Sequence, residues 1–391
     1  MIQAGHGYRV LHLFRCMNRG GAEMRTLDIM RHVDRTTYRL EFCALSEEPG
    51  ELDDEIRRLG GEVHLCRLGP SFPWRFGRLL RRRGFDAVHS HGHMFSGFLL
   101  RLPHRYGVPV RIAHFRSTTS GKAMTLRYRL QDRLMRHWID RHATHILGVG
   151  ESALSHGWKQ AWEKDPRCAV IHNGLDVAPF EAPADPVGVR RQFGWPAGCR
   201  LVIHVGRMHP AKNLPRLIEI AGDMMRQDES VRLLLAGQES RELKNRLLER
   251  LRSWGLQDRV AFAGTRADVP RLMKAADLML FPSLWEGLPG AVLEACAAGL
   301  PVLASHLPGI VEIASRFPSV HCLSLQASDE RWAAAARDLL GDAGSDPARD
   351  AAHRTFADSV YGIERCVKAH ETAWSGASGT EIRKLYTDGS S

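Results

Sequence analysis

Two cations, Arg207 and Lys212, stand five residues apart in Gly206-Arg207-Met208-His209-Pro210-Ala211-Lys212-Asn213, directly after an apolar, β-branched run. A loop at a strand's carboxyl end with this pair can grip a diphosphate and stabilise charge on a departing phosphate oxygen. Taken alone, it is equally a surface loop with two cations. A second segment, Pro282-Ser283-Leu284-Trp285-Glu286-Gly287-Leu288-Pro289-Gly290, also leaves a strand and enters a helix. Glu286 precedes a turn whose backbone N–H groups, those of Gly287 and Leu288, can face an anion; Pro289 has none to offer. Glu294 lies eight residues after Glu286, inside the apolar run Ala291–Ala298. A carboxylate there is costly unless it is paired or ligand-facing. A ribose diol would satisfy it, and so would an internal salt bridge.

The first half of the chain offers softer signals. Asn18-Arg19-Gly20-Gly21-Ala22-Glu23 follows the first strand, and its paired glycines let the backbone approach a phosphate or sugar at a helix N-terminus. The spacing is not the GxGxxG of a nicotinamide fold, and a tight structural turn fits as well. In Ile112-Ala113-His114-Phe115-Arg116, His114 and Arg116 share one face of a strand and Phe115 takes the other. His114 is a candidate catalytic group or a packed histidine; Arg116 can donate hydrogen bonds but cannot act as a base at neutral pH. His89, His91 and His93 alternate along and after another strand, a spacing that resembles a metal-ligand trio. The stretch Met124–Ile139 is basic and amphipathic, with Leu130, Leu134 and Trp138 at i+4 intervals. It reads as a core-packed helix with a basic outer face, or as a helix docking on an anionic membrane.

All of these residues sit at junctions of an alternating pattern. Thirteen short strands are expected, from Arg9–Phe14 to His321–Leu325, with helices between them such as Ala22–Val33, Phe95–Tyr106 and Leu214–Arg226. Such alternation implies parallel sheets with helices on both faces and ligands in the crevice beyond the strands' carboxyl ends. At roughly 150 residues per domain, 391 residues make two, and the cluster Pro179, Pro183, Pro186 and Pro196 reads as the linker. Hydrophobic and charged fractions of 44% and 25% exclude disorder and a disulfide miniprotein. Apolar runs stay well short of the ~20 residues of a membrane span. The eight cysteines are scattered singly without CxxC, which implies free thiols and a reducing, cytosolic compartment. Residues 1–180 carry 28 Lys+Arg against 18 Asp+Glu, whereas 181–391 balance at 26 each. The basic half points to a phosphorylated substrate or an anionic membrane surface; no RNP, zinc-finger or OB-like pattern accompanies it, which argues against nucleic acid.

Together, Gly20-Gly21-Ala22-Glu23, the Gly206–Asn213 loop, the Glu286–Glu294 spacing, Ile171-His172-Asn173-Gly174-Leu175-Asp176 with Phe180, and Ala298-Gly299-Leu300-Pro301-Val302 resemble family 4 retaining glycosyltransferases over residues 8–375. The resemblance implies a GT-B fold: α/β, with two Rossmann-like doubly wound domains facing across a cleft and a C-terminal helix. The expected boundaries are 1–180 for an acceptor-binding domain and 181–347 for a nucleotide-sugar domain. A C-terminal helix over 348–375 would cross back to the first domain, and 376–391 would be a mobile tail. The segment Pro109–His114 is similar to that of bacterial exopolysaccharide and lipopolysaccharide transferases. The implied reaction is retaining transfer from a nucleotide-sugar, a UDP-sugar, to a hydroxyl of a saccharide or lipid-linked saccharide in cell-surface polysaccharide synthesis.

By the same resemblance, Arg207 and Lys212 hold the diphosphate and stabilise the leaving nucleoside diphosphate. Glu286, Gly287 and Leu288 meet the donor sugar, Glu294 the ribose, and Gly20 and Gly21 pass close to the donor phosphate and acceptor. His114 or Arg116 occupies the place where the family commonly puts a catalytic histidine, and His91 and His93 line an acceptor pocket. No metal is implied, because two cations and a helix N-terminus take the role of Mg²⁺. The expected location is cytoplasmic, at the inner face of the plasma membrane if the basic helix docks there. The alternatives are a GT-B UDP-sugar 2-epimerase and a non-catalytic protein that binds anionic surfaces.

Overall fold

The computed structural model describes residues 7–116, 125–341 and 347–387. The chain divides into two compact units, Met1–Leu175 with Val360–Ser391, and Asp176–Ser359. In the first, seven strands pair in parallel: β1 (Tyr8–Phe14), β2 (Tyr38–Ala44), β3 (Glu62–Leu65), β4 (Ala87–Ser90), β5 (Val110–Phe115), β6 (His145–Gly148) and β7 (Cys168–Val170). Their order is β3-β2-β1-β4-β5-β6-β7. The second unit holds β8 (Arg200–Val205), β9 (Val231–Ala236), β10 (Val260–Gly264), β11 (Leu278–Phe281), β12 (Val302–Ser305) and β13 (Val320–Leu323). These are also parallel, in the order β10-β9-β8-β11-β12-β13. All thirteen expected strands appear, with ends displaced by up to three residues. Continuous buried runs such as Val10–Phe14 and Leu278–Phe281 reflect helices packed on both sheet faces.

The strand order reverses beside β1 in one unit and beside β8 in the other. At β1/β4 and β8/β11 the following helices depart to opposite faces, which opens a crevice at the carboxyl ends. The chemistry-bearing loops leave from these strands. Gly20–Gly21 follow β1, His91 follows β4, the Arg207–Lys212 loop follows β8, and Glu286 follows β11.

Three expectations are corrected. The Phe95–Tyr106 helix is two short ones, Ser96–Leu99 and Arg101–Arg105. The long C-terminal helix is also two, Pro347–Ala357 and Ile363–Trp374, broken where Leu175 bridges Gly362 and its N–H donates to the Tyr361 carbonyl. The tail carries a further helix, Gly379–Thr387, whose Ile382 is fully buried in the first unit's core beside Leu385 and Tyr386. Its start is a capping box: the Ser378 N–H donates to Glu381 and the Glu381 N–H donates back to the Ser378 hydroxyl. The turn expected at 341–347 lies outside the described residues over 342–346, as do Met124 and residues 388–391.

The basic helix, Leu126–His142, also departs from expectation. Its buried stripe is Met135 and Ile139, not Leu130 and Leu134. Gly97 permits this orientation, because a Cβ there would come within 2.3 Å of the Met135 carbonyl oxygen. Leu126, Leu130 and Leu134 are left 83%, 69% and 44% exposed.

Ile382→Ala should lower the stability of the first unit by about 2–4 kcal/mol, the ordinary penalty for emptying a buried isoleucine site. Denaturant unfolding followed by tryptophan fluorescence measures it, and an unchanged midpoint would show that this last helix is not part of the core.

Candidate functional site

In the second unit, the loop after β8 makes one 3₁₀ turn, Pro210–Lys212, capped by the His209 ring, which accepts from the Ala211 N–H at 3.2 Å. Asn213 then takes a left-handed conformation (φ 51°), which reverses the chain into the helix Leu214–Gln227. This turn aims Lys212 back over the sheet: its Nζ lies 4.5 Å from the centre of the Phe281 ring and 2.6 Å from Glu286 Oε1. The pair is mostly buried, with side chains 17% and 14% exposed. Arg207 is exposed, and among the described residues no carboxylate pairs with it. The loop is held from both sides, as Met208 N–H donates to Gln238 O and Leu284 N–H to Ala211 O.

Close backbone approach shapes the Glu286 loop. A Cβ on Gly309 would sit 1.5 Å from the Gly287 carbonyl oxygen, so the helix Pro308–Ala314 packs there only because residue 309 has no side chain. Leu288 is buried, and Pro289 caps the helix Gly290–Ala297, which carries Glu294 half-buried near its end. Beneath the loop, His204 donates from Nδ1 to Leu280 O, and burial pulls its pKa down to about 4.

The first unit gathers a layer of imidazoles at the strands' carboxyl ends. His12 on β1 faces His89 on β4 in register, and His114 on β5 and His91 complete the layer. His370 and Trp374, from the helix Ile363–Trp374, cover it. Arg116 closes the partly exposed edge, donating from Nε to His91 Nδ1 at 2.9 Å and from Nη1 to Asn173 Oδ1 at 3.1 Å. Burial, reinforced by neighbouring rings and by Arg116, holds His12, His89, His91 and His114 well below the ordinary histidine range, so they stay neutral. Burial also lowers Arg116, to about 10, which leaves it charged at neutral pH.

The structure therefore brings Lys212 and Glu286 into contact and sets Arg207 on the same loop. It brings His91, His114 and Arg116 into one layer, and His114 and Arg116 share a face while Phe115 packs against Trp158 on the other. Gly20 caps the helix Gly21–His32, with the Glu23 carboxylate beside it, and Gly21 has open space where a Cβ would be. His93 packs edge-on against Phe115, whose ring takes the face of β5 opposite to His114 and Arg116. Sequence reasoning missed His12, Asn173 as the partner of Arg116, and the covering pair His370 and Trp374. His12 had a signal, since it interrupts an apolar strand; the helical pair had none, lying more than 250 residues from the strands it covers.

Known proteins share this chain's sequence pattern and fold. Residues 199–342 match the model of glycosyl transferases group 1, and 20–174 match that of the glycosyl transferase 4-like domain. EpsF of Bacillus subtilis, named as a glycosyltransferase, is 32% identical over 304 residues, 76% of this chain and 79% of its own length. CapH of Staphylococcus aureus, a capsular polysaccharide biosynthesis glycosyltransferase, is 28% identical over 337 residues, covering 85% and 90% of the two chains. The crystal structure of HepE from Anabaena superposes with a TM-score of 0.77 at 19% identity, covering 94% of this chain and 99% of that one.

The neutral histidines make stability pH-dependent. Their folded pKa values lie below the ordinary 6.5, with His370 and His204 at about 4, so the unfolded chain binds protons that the folded one refuses. Stability should be complete above about pH 6.5 and fall as the pH drops towards 4, by about 1.4 kcal/mol per pH unit for each ring that stays neutral. Urea midpoints measured between about pH 8 and 5 test this; a flat profile would mean that the rings are charged in the fold.

Proposed function

The chain belongs to the glycosyltransferase family of these relatives, and from that membership we propose that it transfers a sugar from a UDP-sugar, with retention, to a hydroxyl of a saccharide or lipid-linked saccharide. The epimerase and non-catalytic alternatives give way to the membership itself. The observation that carries the finer reading is the Lys212–Glu286 pair at the reversal point of the second sheet. The donor class is supported by HepE, whose structures hold UDP and UDP-glucose. The acceptor class is supported by a relative from Escherichia coli, 30% identical over 243 residues, named UDP-Gal:alpha-D-GlcNAc-diphosphoundecaprenol alpha-1,3-galactosyltransferase.

Lys212 and Glu286 satisfy each other's charge and hold each other in place. A donor divides the pair's attention: Lys212 meets diphosphate oxygens beside Arg207, and Glu286 accepts from sugar hydroxyls. Charge-assisted contacts of this kind offset the loosened ion pair. As the bond from the anomeric carbon to the diphosphate breaks, the two cations stabilise the charge on the departing oxygen. The acceptor hydroxyl adds on the face the diphosphate leaves, and its proton passes to a phosphate oxygen. No side chain need act as base. Glu294 takes the ribose hydroxyls. The cations do the work a divalent metal would do.

Donor-dependent release of UDP, assayed in excess EDTA, tests this reading. Wild-type turnover should persist, and Lys212→Ala should lower it about a hundredfold, the cost of losing one preorganised contact to the leaving group. Abolition by EDTA with rescue by Mg²⁺, or near-wild-type turnover in the variant, would overturn it.

A lipid-linked acceptor places the enzyme at a membrane, and the helix Leu126–His142 supports that. Its exposed ridge, Leu126, Leu130 and Leu134, is flanked by Arg127, Arg129 and Arg133, the composition of an interfacial helix on anionic lipid. Among the described residues no helix is long and apolar enough to cross a membrane. Leu130→Glu should weaken cosedimentation with anionic vesicles about tenfold or more, since burying a leucine contributes about 1.5–3 kcal/mol, and leave activity on a soluble acceptor unchanged. Binding equal to wild type would remove the membrane from the proposal.

A further inference from the structure

Two donors at the ends of the histidine layer cannot change character: an indole N–H and a guanidinium N–H only donate. Trp374 Nε1 lies 3.1 Å from His89 Nδ1, so that nitrogen is bare and the neutral ring carries its proton on Nε2. His89 Nε2 lies 2.9 Å from His114 Nδ1 and must donate to it, which places the His114 proton on Nε2. Arg116 Nε, 2.9 Å from His91 Nδ1, starts a second chain by the same logic. His91 donates from Nε2 to His12 Nδ1 at 3.0 Å, and the His12 proton therefore sits on Nε2. The fifth ring is set separately, since His370 Nδ1 donates to the Cys366 carbonyl at 2.8 Å.

We infer that Trp374 and Arg116 are positioning residues that fix, through two separate hydrogen-bond chains, the tautomers of four histidines, and so make the buried His114 an Nε2–H donor. The two chains end at His114 Nε2 and His12 Nε2, both buried and without a hydrogen-bond partner among the described residues. His114 accordingly has no lone pair to offer a substrate proton: Nδ1 is occupied by His89 and Nε2 carries hydrogen. Its chemistry is donation to an oxygen. The same assignment tells against metal binding by His12, His89 and His91 or by His89, His114 and His370, whose nitrogens cluster closely enough to suggest it. A ligating nitrogen must be bare, yet the bare nitrogens of His12, His89, His91 and His114 each already accept a hydrogen bond. If His89 bound a metal through Nε2, its Nδ1–H would face the Trp374 N–H, donor against donor.

The catalytic meaning of this inference rests on the transferase reading; the tautomers do not. Long-range ¹H–¹⁵N correlation spectra of the full chain, labelled at histidine nitrogens and held at about pH 7.5, a unit above the ordinary histidine pKa, report which nitrogen of each ring is protonated. His12, His89, His91 and His114 should all appear as Nε2–H and His370 as Nδ1–H. Trp374→Phe keeps an aromatic ring and removes the donor. The His89–His114 pair should then populate both tautomers while His91–His12 keeps one. Arg116→Met should do the reverse. His114 or His12 protonated at Nδ1 in the wild type would overturn the inference, as would a Trp374→Phe variant that disturbs both pairs or neither. Should that variant fail to fold, the wild-type spectrum alone decides. These spectra need no substrate, so failure of UDP release with intact tautomers would fault the transferase reading and leave this one standing.

Discussion

The guanidinium of Arg116 is the tie on which the first unit's site depends. It leaves the end of β5, grips His91 beyond β4 and holds Asn173 in the segment that follows β7. Three loops that share no sequence neighbourhood are thereby fixed relative to one another. A buried cation is costly unless its donors are met, and here a neutral ring and an amide oxygen meet Nε and Nη1 while Nη2 stays without a partner among the described residues. The adjoining Gly174 contributes differently. A Cβ there would meet the Cys366 side chain at 2.4 Å, so its bareness lets the helix Ile363–Trp374 seat over the layer. Asn173 and Gly174 thus serve one site, one by what its side chain holds and the other by having none.

The second unit solves its polar problem by pairing opposite charges. Lys212 and Glu286 lie in loops separated by more than seventy residues and meet because β8 and β11 are neighbours in the sheet. Contact between these loops requires small residues around them. Gly237, at φ 145°, comes so close to the Gly206 carbonyl that a Cβ would lie 2.2 Å from it, and Gly309 abuts Gly287 in the same way. The loops can then lie close over the strand ends, where the lysine and the glutamate meet.

The two units therefore present different chemistry. One offers mobile charge, since an ion pair can be redistributed onto a ligand. The other offers fixed donors, since neutral rings in chains that each begin at an unchanging N–H group cannot exchange roles cheaply.

Much of this was legible in the chain itself. Short apolar runs that recur between helical patterns can bury their backbone only as strands of parallel sheets, so all thirteen strands and their order of appearance followed from local composition. The loops bearing Arg207, Lys212 and Glu286 were equally legible, because carboxyl ends of strands are where such sheets bind ligands. Where the relevant contact was long-range, sequence fell short. The leucines of the helix Leu126–His142 repeat at core spacing, yet that spacing does not say which stripe the neighbouring helix Ser96–Leu99 will accept, and Gly97 decided for Met135 and Ile139. The tail looked too polar to order, although its capping box was local and readable; what anchored it was Ile382 finding the first unit's core. The histidine layer is the extreme case. His12, His89, His114 and His370 are scattered through the chain, and only strand adjacency with a returning helix brings them together. Periodicity reports what a residue's near neighbours make favourable, but a tautomer, a buried charge or a covered face is set by atoms from distant segments, and those meet only in the folded chain.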